Sequence, residues 1–169
     1  MGDQSPVVVG RGVVMATLFV ALWFWLAALV RRFDVAIGVS PPAWLAPFGW
    51  VLGLAGGAVG AACVALFVTE GRGTPAPFDP PQVFVASGPY RYVRNPMYVG
   101  AVLALGGGGL VVRSVSVIAL GALFWLLSHV LVVLVEEPDL VKRFGESYTR
   151  YRRHVNRWLP RVPRPSSER

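Results

Sequence analysis

The sequence predicts an all-α integral membrane protein, with four transmembrane helices and a C-terminal amphipathic helix. Three observations carry this expectation. Of 169 residues, 54% are hydrophobic and 15% charged, a balance too apolar for an ordinary soluble domain and too short a chain for two domains. Four segments, 13–30, 44–69, 97–112 and 114–135, contain no Asp, Glu, Lys or Arg. Two polar clusters, 88–98 and 136–160, flank the last two of these segments. At about 1.5 Å per helical residue, the positions from Tyr98 to Glu136 run about 57 Å, close to twice a ~30 Å hydrocarbon core. The chain should therefore cross and return, bringing Tyr98 and Glu136 to one membrane face.

The first segment, 13–30, is preceded by Arg11 and followed by Arg31 and Arg32, where a cleaved secretory signal would need small residues. A retained first helix is expected. The second, 44–69, carries Gly49, Gly53, Gly56, Gly57 and Gly60, overlapping small-xxx-small spacings that let another helix backbone approach. Cys63, the single cysteine, lies in this segment as a small apolar residue, which excludes an internal disulfide framework and a cysteine metal cluster.

The connection 70–96 holds prolines at 75, 77, 80, 81 and 89, so it cannot be a continuous helix. Gln82 to Val85 reads as a few extended residues before a turn at Ser87-Gly88-Pro89. Pro96 suits the first turn of the third helix, 97–112, which is short for an upright span and carries Gly106 to Gly109. Local thinning of the bilayer or a break near its end would accommodate it. The fourth helix, 114–135, ends at the acidic pair Glu136-Glu137. From 138 to 157, Leu140, Phe144, Tyr148, Tyr151 and Val155 recur at three- and four-residue intervals, an apolar stripe suited to the headgroup region. The tail, 161–169, is expected to be flexible.

Four crossings place both termini and the 70–96 loop on one side with thirteen Lys and Arg residues, against three on the other. The positive-inside rule then assigns a multi-pass protein of the cell membrane with both termini and both polar clusters in the cytoplasm. Topology and anionic headgroups account for the net charge of +7, so no nucleic-acid partner is expected, and membrane lipids are. The absence of acidic or basic residues within the spans argues against an ion pump. No metal site is expected. The tryptophans read as interface and packing residues.

Glu136 and Glu137 have two readings. They mark a helix end and pair with nearby arginines, or they hold a cationic or hydroxyl-bearing ligand. Arg94, Asn95 and Tyr98, returned to the same face, add a cation, an amide and an aromatic hydroxyl, a set suited to a zwitterionic cofactor with an aromatic base.

The cassette Ser87-Gly88-Pro89-Tyr90-Arg91-Tyr92-Val93-Arg94-Asn95-Pro96-Met97-Tyr98-Val99-Gly100, followed by Glu136-Glu137, Phe144-Gly145, Tyr148, Tyr151, Val155, Arg157 and Pro160, resembles the isoprenylcysteine carboxyl methyltransferase family, as a bacterial-type member. Phospholipid methyltransferases are its wider relatives. The resemblance covers about residues 70 to 160 and implies S-adenosylmethionine as cofactor, with S-adenosylhomocysteine as product. It also implies a pocket at the cytosolic end of the helix 3/helix 4 hairpin. The implied cofactor contacts are Gln82, Val83, Phe84, Val85, Tyr90, Asn95, Pro96, Met97, Tyr98 and Glu136. Arg94, a candidate catalytic residue together with His129, is placed to meet a carboxylate or a headgroup phosphate. Two positions depart from the family pattern: Asn95 stands where histidine is usual, and Val132 where eukaryotic members carry a substrate-facing arginine.

His129 lies two helical turns before Glu136, as a substrate contact, a base, or an interhelical hydrogen bond. The expectation is an integral-membrane methyltransferase acting on a lipophilic or small acceptor, with O-, N- and S-methylation all compatible. The competing reading is a non-catalytic membrane sensor or assembly subunit that retains the hairpin. The small-xxx-small glycines fit packing within one chain or between copies, so the oligomeric state is open.

Overall fold

The computed structural model describes residues 6–71 and 83–161. Among them the chain is helical throughout, apart from short connections and one isolated bridge between Val93 and Asn156. Helix α1 spans Pro6–Val30 and passes through a turn at Arg31–Phe33 into the short α2, Asp34–Ile37, which stops at Gly38 with φ 69°. Helix α3 spans Ala46–Leu66 and widens into a π-turn, Phe67–Gly71. After a 3-10 turn at Gly88–Arg91, α4 runs Pro96–Val111 and α5 runs Val115–Leu131. A second π-turn, Val132–Glu136, leads into α6, Glu137–His154.

Among the described residues three helices are long and apolar enough to cross a membrane, beginning at Val13, Ala43 and Val115; α4, with 16 residues, is shorter. The surface agrees with that reading. Phe24, Trp44, Trp50, Leu54, Leu127 and Leu134 are all more than half exposed, as side chains facing lipid would be.

Close backbone approach joins α3 to α4. A Cβ built on Gly49 would stand 2.6 Å from the Gly107 carbonyl oxygen, and one on Gly56 2.4 Å from that of Gly100. Gly107 and Gly109 are buried within an unbroken α4, the first against Gly49 and Gly53, the second against Ser114 and Ile118. Gly107 and Gly109 therefore serve contact with α3 and the start of α5, and the glycine run does not end the helix. The α4–α5 turn is tight: Arg113 takes φ 55°, and the Ser114 hydroxyl caps α5 by accepting from the Val117 N–H at 3.1 Å. Helix α1 rests on α5 through Trp23 and Phe124, with ring centroids 4.7 Å apart.

Beyond α5 the polar segment behaves differently from a single surface helix. Gly145, with φ 54° and ψ −122°, bends α6 in the middle. After His154 the chain straightens into a strap, 155–161, that runs beside residues 92–95. Asp34, at the far end of the bundle, accepts from the Ser116 N–H at 2.9 Å and ties the α1–α2 corner to the start of α5.

Candidate active site

The hairpin brings its two ends into contact. The Tyr98 hydroxyl, in the first turn of α4, donates to Glu136 Oε1 at the end of the second π-turn. The adjacent carboxylate does something else. Glu137 is 9% exposed and accepts two hydrogen bonds from Arg157, Nε to Oε1 at 2.7 Å and Nη2 to Oε2 at 2.9 Å, while Arg94 Nη1 lies 3.1 Å from Oε1. This is the fork geometry in which guanidinium and carboxylate pair most strongly.

Two backbone bonds and one side-chain bond complete the join between strap and cassette. The Arg94 N–H donates to the Asn156 carbonyl at 2.8 Å, the Arg161 N–H to the Tyr92 carbonyl at 2.8 Å, and Asn95 Nδ2 to the Arg157 carbonyl at 3.2 Å. Tyr151 donates its hydroxyl to the Tyr90 carbonyl at 2.6 Å. The apolar stripe of α6 turns toward the loop before α4. The Phe84 ring lies 5.5 Å from Phe144, 5.8 Å from Tyr148 and 5.1 Å from Tyr151. Those aromatics pack on protein, whereas the sequence reading gave the stripe to the headgroup region. Their clustering around a loop phenylalanine is favourable beyond area burial alone.

The expected residues fall into three groups. Tyr98 and Glu136 touch, and Met97 and Pro96 precede Tyr98 in the same helical turn. Val85 and Tyr90 are buried together with Cys63, Tyr90 standing 5.6 Å from Phe67, and Phe84 sits beneath α6. Val83 is exposed at the edge of the described loop, and Gln82 lies outside the described residues. Arg94 and Asn95 engage Glu137 and the strap. Val132 is buried at 1% exposure. His129 Nδ1 accepts from the Trp158 indole N–H at 3.0 Å. For Glu137 the structure selects the first of the two sequence readings, a carboxylate paired with arginines, while Trp158 as a strap residue emerges only with the fold. The signal for Trp158 was its place beside Arg157 in the Val155–Pro160 motif.

The carboxylates, just beyond the apolar run that ends at Val135, are driven in opposite directions. Burial pushes Glu136 above its ordinary 4.5, with the Tyr98 hydrogen bond opposing and the Glu137 charge adding. Burial also raises Glu137, but the Arg157 hydrogen bonds and the Arg94 charge outweigh it and hold the group below 4.5. For Glu136, stability is present below 4.5 and lost as pH rises through its raised value; for Glu137, it is present above 4.5 and lost as pH falls through its lowered value. Melting temperature in detergent should therefore rise as pH drops from neutral toward 4.5 and fall below it. Glu136→Gln should remove the first limb and Glu137→Gln the second. A monotonic acid loss in the parent protein contradicts this assignment.

Among the described residues no group of three or more His, Cys, Asp or Glu side chains is placed to hold a metal ion. Fold and hydropathy together define an all-helical, multi-pass membrane protein whose hairpin closes on a polar junction of Tyr98, Glu136 and Glu137. The phospholipid methyltransferase family model matches residues 48–147, most of the hairpin and its flanks, and the chain belongs to that family. Its relatives include protein-S-isoprenylcysteine O-methyltransferase of Schizosaccharomyces pombe, 37% identical over 82 residues, which is 48% of this chain and 34% of that protein. Methanethiol S-methyltransferase of Crocosphaera subtropica is 28% identical over 158 residues, 88% of this chain and 58% of that protein. The cobalt-zinc-cadmium resistance protein CzcN of Cupriavidus metallidurans is 30% identical over 122 residues, 70% of this chain and 52% of that protein. The chain thus spans at most 58% of the length of these relatives.

Proposed function

We propose that this protein is an integral-membrane methyltransferase that uses S-adenosylmethionine and acts on a lipophilic or small acceptor. In this reading it crosses the cell membrane four times, with both termini and the site in the cytoplasm, and the short α4 is the third crossing in chain order. The observation that carries the proposal is the Tyr98–Glu136 contact across the hairpin, within a chain of the phospholipid methyltransferase family.

The residues present fit the cofactor. Glu136 is partly buried, its charge is poorly solvated, and one hydrogen bond from Tyr98 leaves capacity for an ammonium or ribose hydroxyl. Tyr98 brings an aromatic face beside that carboxylate, suited to an adenine or a cation. In this reading Val83, Phe84, Val85, Tyr90 and the Asn95-Pro96-Met97 turn supply the surrounding wall, and Gln82 is a further cofactor contact by family resemblance. When bound, S-adenosylmethionine supplies a methyl group already activated on a sulfonium. The protein's task is then to hold the acceptor in line and keep water out, which needs few acid-base groups. An apolar groove between α1 and α4, lined by Phe19, Trp23, Ala101, Leu105 and Gly108 among others, reaches Phe124 through Trp23. Phe124 is in turn 6.1 Å from Tyr98, so a lipophilic acceptor has an apolar approach from the bilayer side.

Binding of S-adenosylmethionine and S-adenosylhomocysteine to the detergent-solubilised protein tests the reading. Glu136→Gln should weaken both by on the order of 10- to 100-fold, the loss of one charge-assisted contact. No binding by the folded parent protein would favour the non-catalytic sensor or assembly subunit. Labelled methyl donor supplied to membranes, with mass spectrometry of the product, identifies the acceptor.

A further inference from the structure

The methyltransferase reading leaves His129 and Trp158 without an assigned task, although they adjoin the Tyr98–Glu136 contact. The Trp158 ring is 6.4 Å from Tyr98 and 5.9 Å from His129, and Trp125 flanks both at 6.1 Å from Trp158 and 5.7 Å from His129. The bond between them runs from indole Nε1 to imidazole Nδ1 at 3.0 Å. An indole nitrogen can only donate. Nδ1 must therefore present a lone pair, and the proton of the neutral imidazole resides on Nε2. Protonating Nδ1 would break the Trp158 bond. The His129 side chain is only partly buried.

We propose that Trp158 is a positioning residue that locks His129 as an Nε2–H donor, so that His129 orients the methyl acceptor by donating a hydrogen bond and does not act as its base. This rests on the methyltransferase reading. The acceptor chemistry that suits a fixed donor is an oxygen or sulfur nucleophile already anionic when bound, a carboxylate or a thiolate on an apolar body. The transfer then balances without a proton step: the acceptor lone pair forms the new bond to the methyl carbon, and the carbon–sulfur bond of the donor breaks with its electron pair on sulfur. The acceptor ends neutral. An ammonium acceptor would first have to lose a proton, and the locked imidazole offers no base at Nε2.

The chain has two histidines, so nitrogen-15 NMR of histidine-labelled protein in micelles can read the tautomer, with His129→Gln assigning the signal. The parent should show the Nε2–H form, and Trp158→Phe, which keeps a ring but loses the donor, should show mixed tautomers. A proton on Nδ1 in the parent, or no change in Trp158→Phe, overturns the lock whether or not methyl transfer is seen. Activity gives the second arm. A glutamine at 129 can offer an amide N–H near the Nε2 position but cannot take up a proton, whereas phenylalanine offers neither. His129→Gln should stay within about 10-fold of the parent in kcat and His129→Phe should drop by about 100-fold, the range set by one donor to a reacting group. Equal loss in both, with S-adenosylhomocysteine binding intact, makes His129 a base and overturns the proposal while the methyltransferase reading stands. Absence of donor binding in the parent would instead sink the methyltransferase reading and leave the tautomer result to decide the lock.

Discussion

Glu137→Gln is expected to destabilise the protein by about 3 to 5 kcal/mol, the cost of removing one partner from a buried ion pair. The substitution keeps the shape of the side chain, so packing is not at issue; charge is. The Glu137 and Arg94 side chains are 11% and 12% exposed, and Arg94 Nε is already buried without a partner. Take away the carboxylate charge and Arg94 and Arg157 face each other across a gap that water barely reaches. Arg157, whose side chain is 30% exposed, regains some solvation, so most of the loss falls on Arg94. The check is thermal unfolding of the solubilised protein with a double-mutant cycle. Adding Arg94→Met to Glu137→Gln should recover part of the loss, since it removes the uncompensated cation. If Glu137→Gln shifts stability by less than about 0.5 kcal/mol, the clasp is solvent-screened like a surface pair.

That clasp also shows which parts of the molecule could be read from the sequence. Closure of the hairpin was legible because length and hydropathy constrain it: two apolar runs between Tyr98 and Glu136 leave the ends few places to go, and the hydroxyl meets the carboxylate. The small-xxx-small spacing of α3 was legible for a similar reason, because a glycine row has one common use in such helices. The division of labour between Glu136 and Glu137 was not. Neighbours in a helix point about 100° apart, so which one meets Tyr98 and which meets the arginines depends on local helix phase. Here a π-turn over Val132–Glu136 resets that phase, and no residue pattern announces it.

The C-terminal segment was legible as an amphipathic helix, found at Glu137–His154, but what covers its apolar face was not. Leu140, Phe144, Tyr148, Tyr151 and Val155 fit an interfacial helix, but an amphipathic pattern states that one face is apolar and not what covers it. The cover includes Phe84, more than fifty residues earlier, and the bend at Gly145 is part of how the segment reaches it. The strap is a matter of backbone bonds, from the Arg94 N–H to the Asn156 carbonyl and from the Arg161 N–H to the Tyr92 carbonyl, which leave no mark on side-chain identity. Trp158 looked like any interfacial tryptophan until the strap carried it to His129.

The second large effect concerns the platform under the site. Gly107→Ala or Gly56→Ala should each cost about 3 kcal/mol, the upper end of what overpacking a fixed contact does. A Cβ on Gly107 would meet the Gly49 oxygen at 2.5 Å and the Gly53 nitrogen at 2.6 Å, and one on Gly56 would meet the Gly100 oxygen at 2.4 Å and the Ala104 nitrogen at 2.7 Å. Those neighbours are backbone, so no rotamer change relieves them; α3 and α4 must separate. Gly53→Ala and Gly57→Ala provide the control, since a Cβ at either position has nothing within 4 Å. The same chemical change there should be neutral or stabilise by about 0.5 to 1 kcal/mol through helix propensity. Methyl-donor binding gives a readout beyond stability. Helix α3 packs Cys63 and Leu66 against Tyr90, Val85 and Met97, one residue before Tyr98, so pushing α3 away should loosen the wall of the site. Gly56→Ala should therefore weaken S-adenosylhomocysteine binding while Gly57→Ala leaves it unchanged. Equal behaviour of the two would mean that α3 and α4 are not held at backbone contact in the membrane, and that the hairpin end is supported by the strap alone.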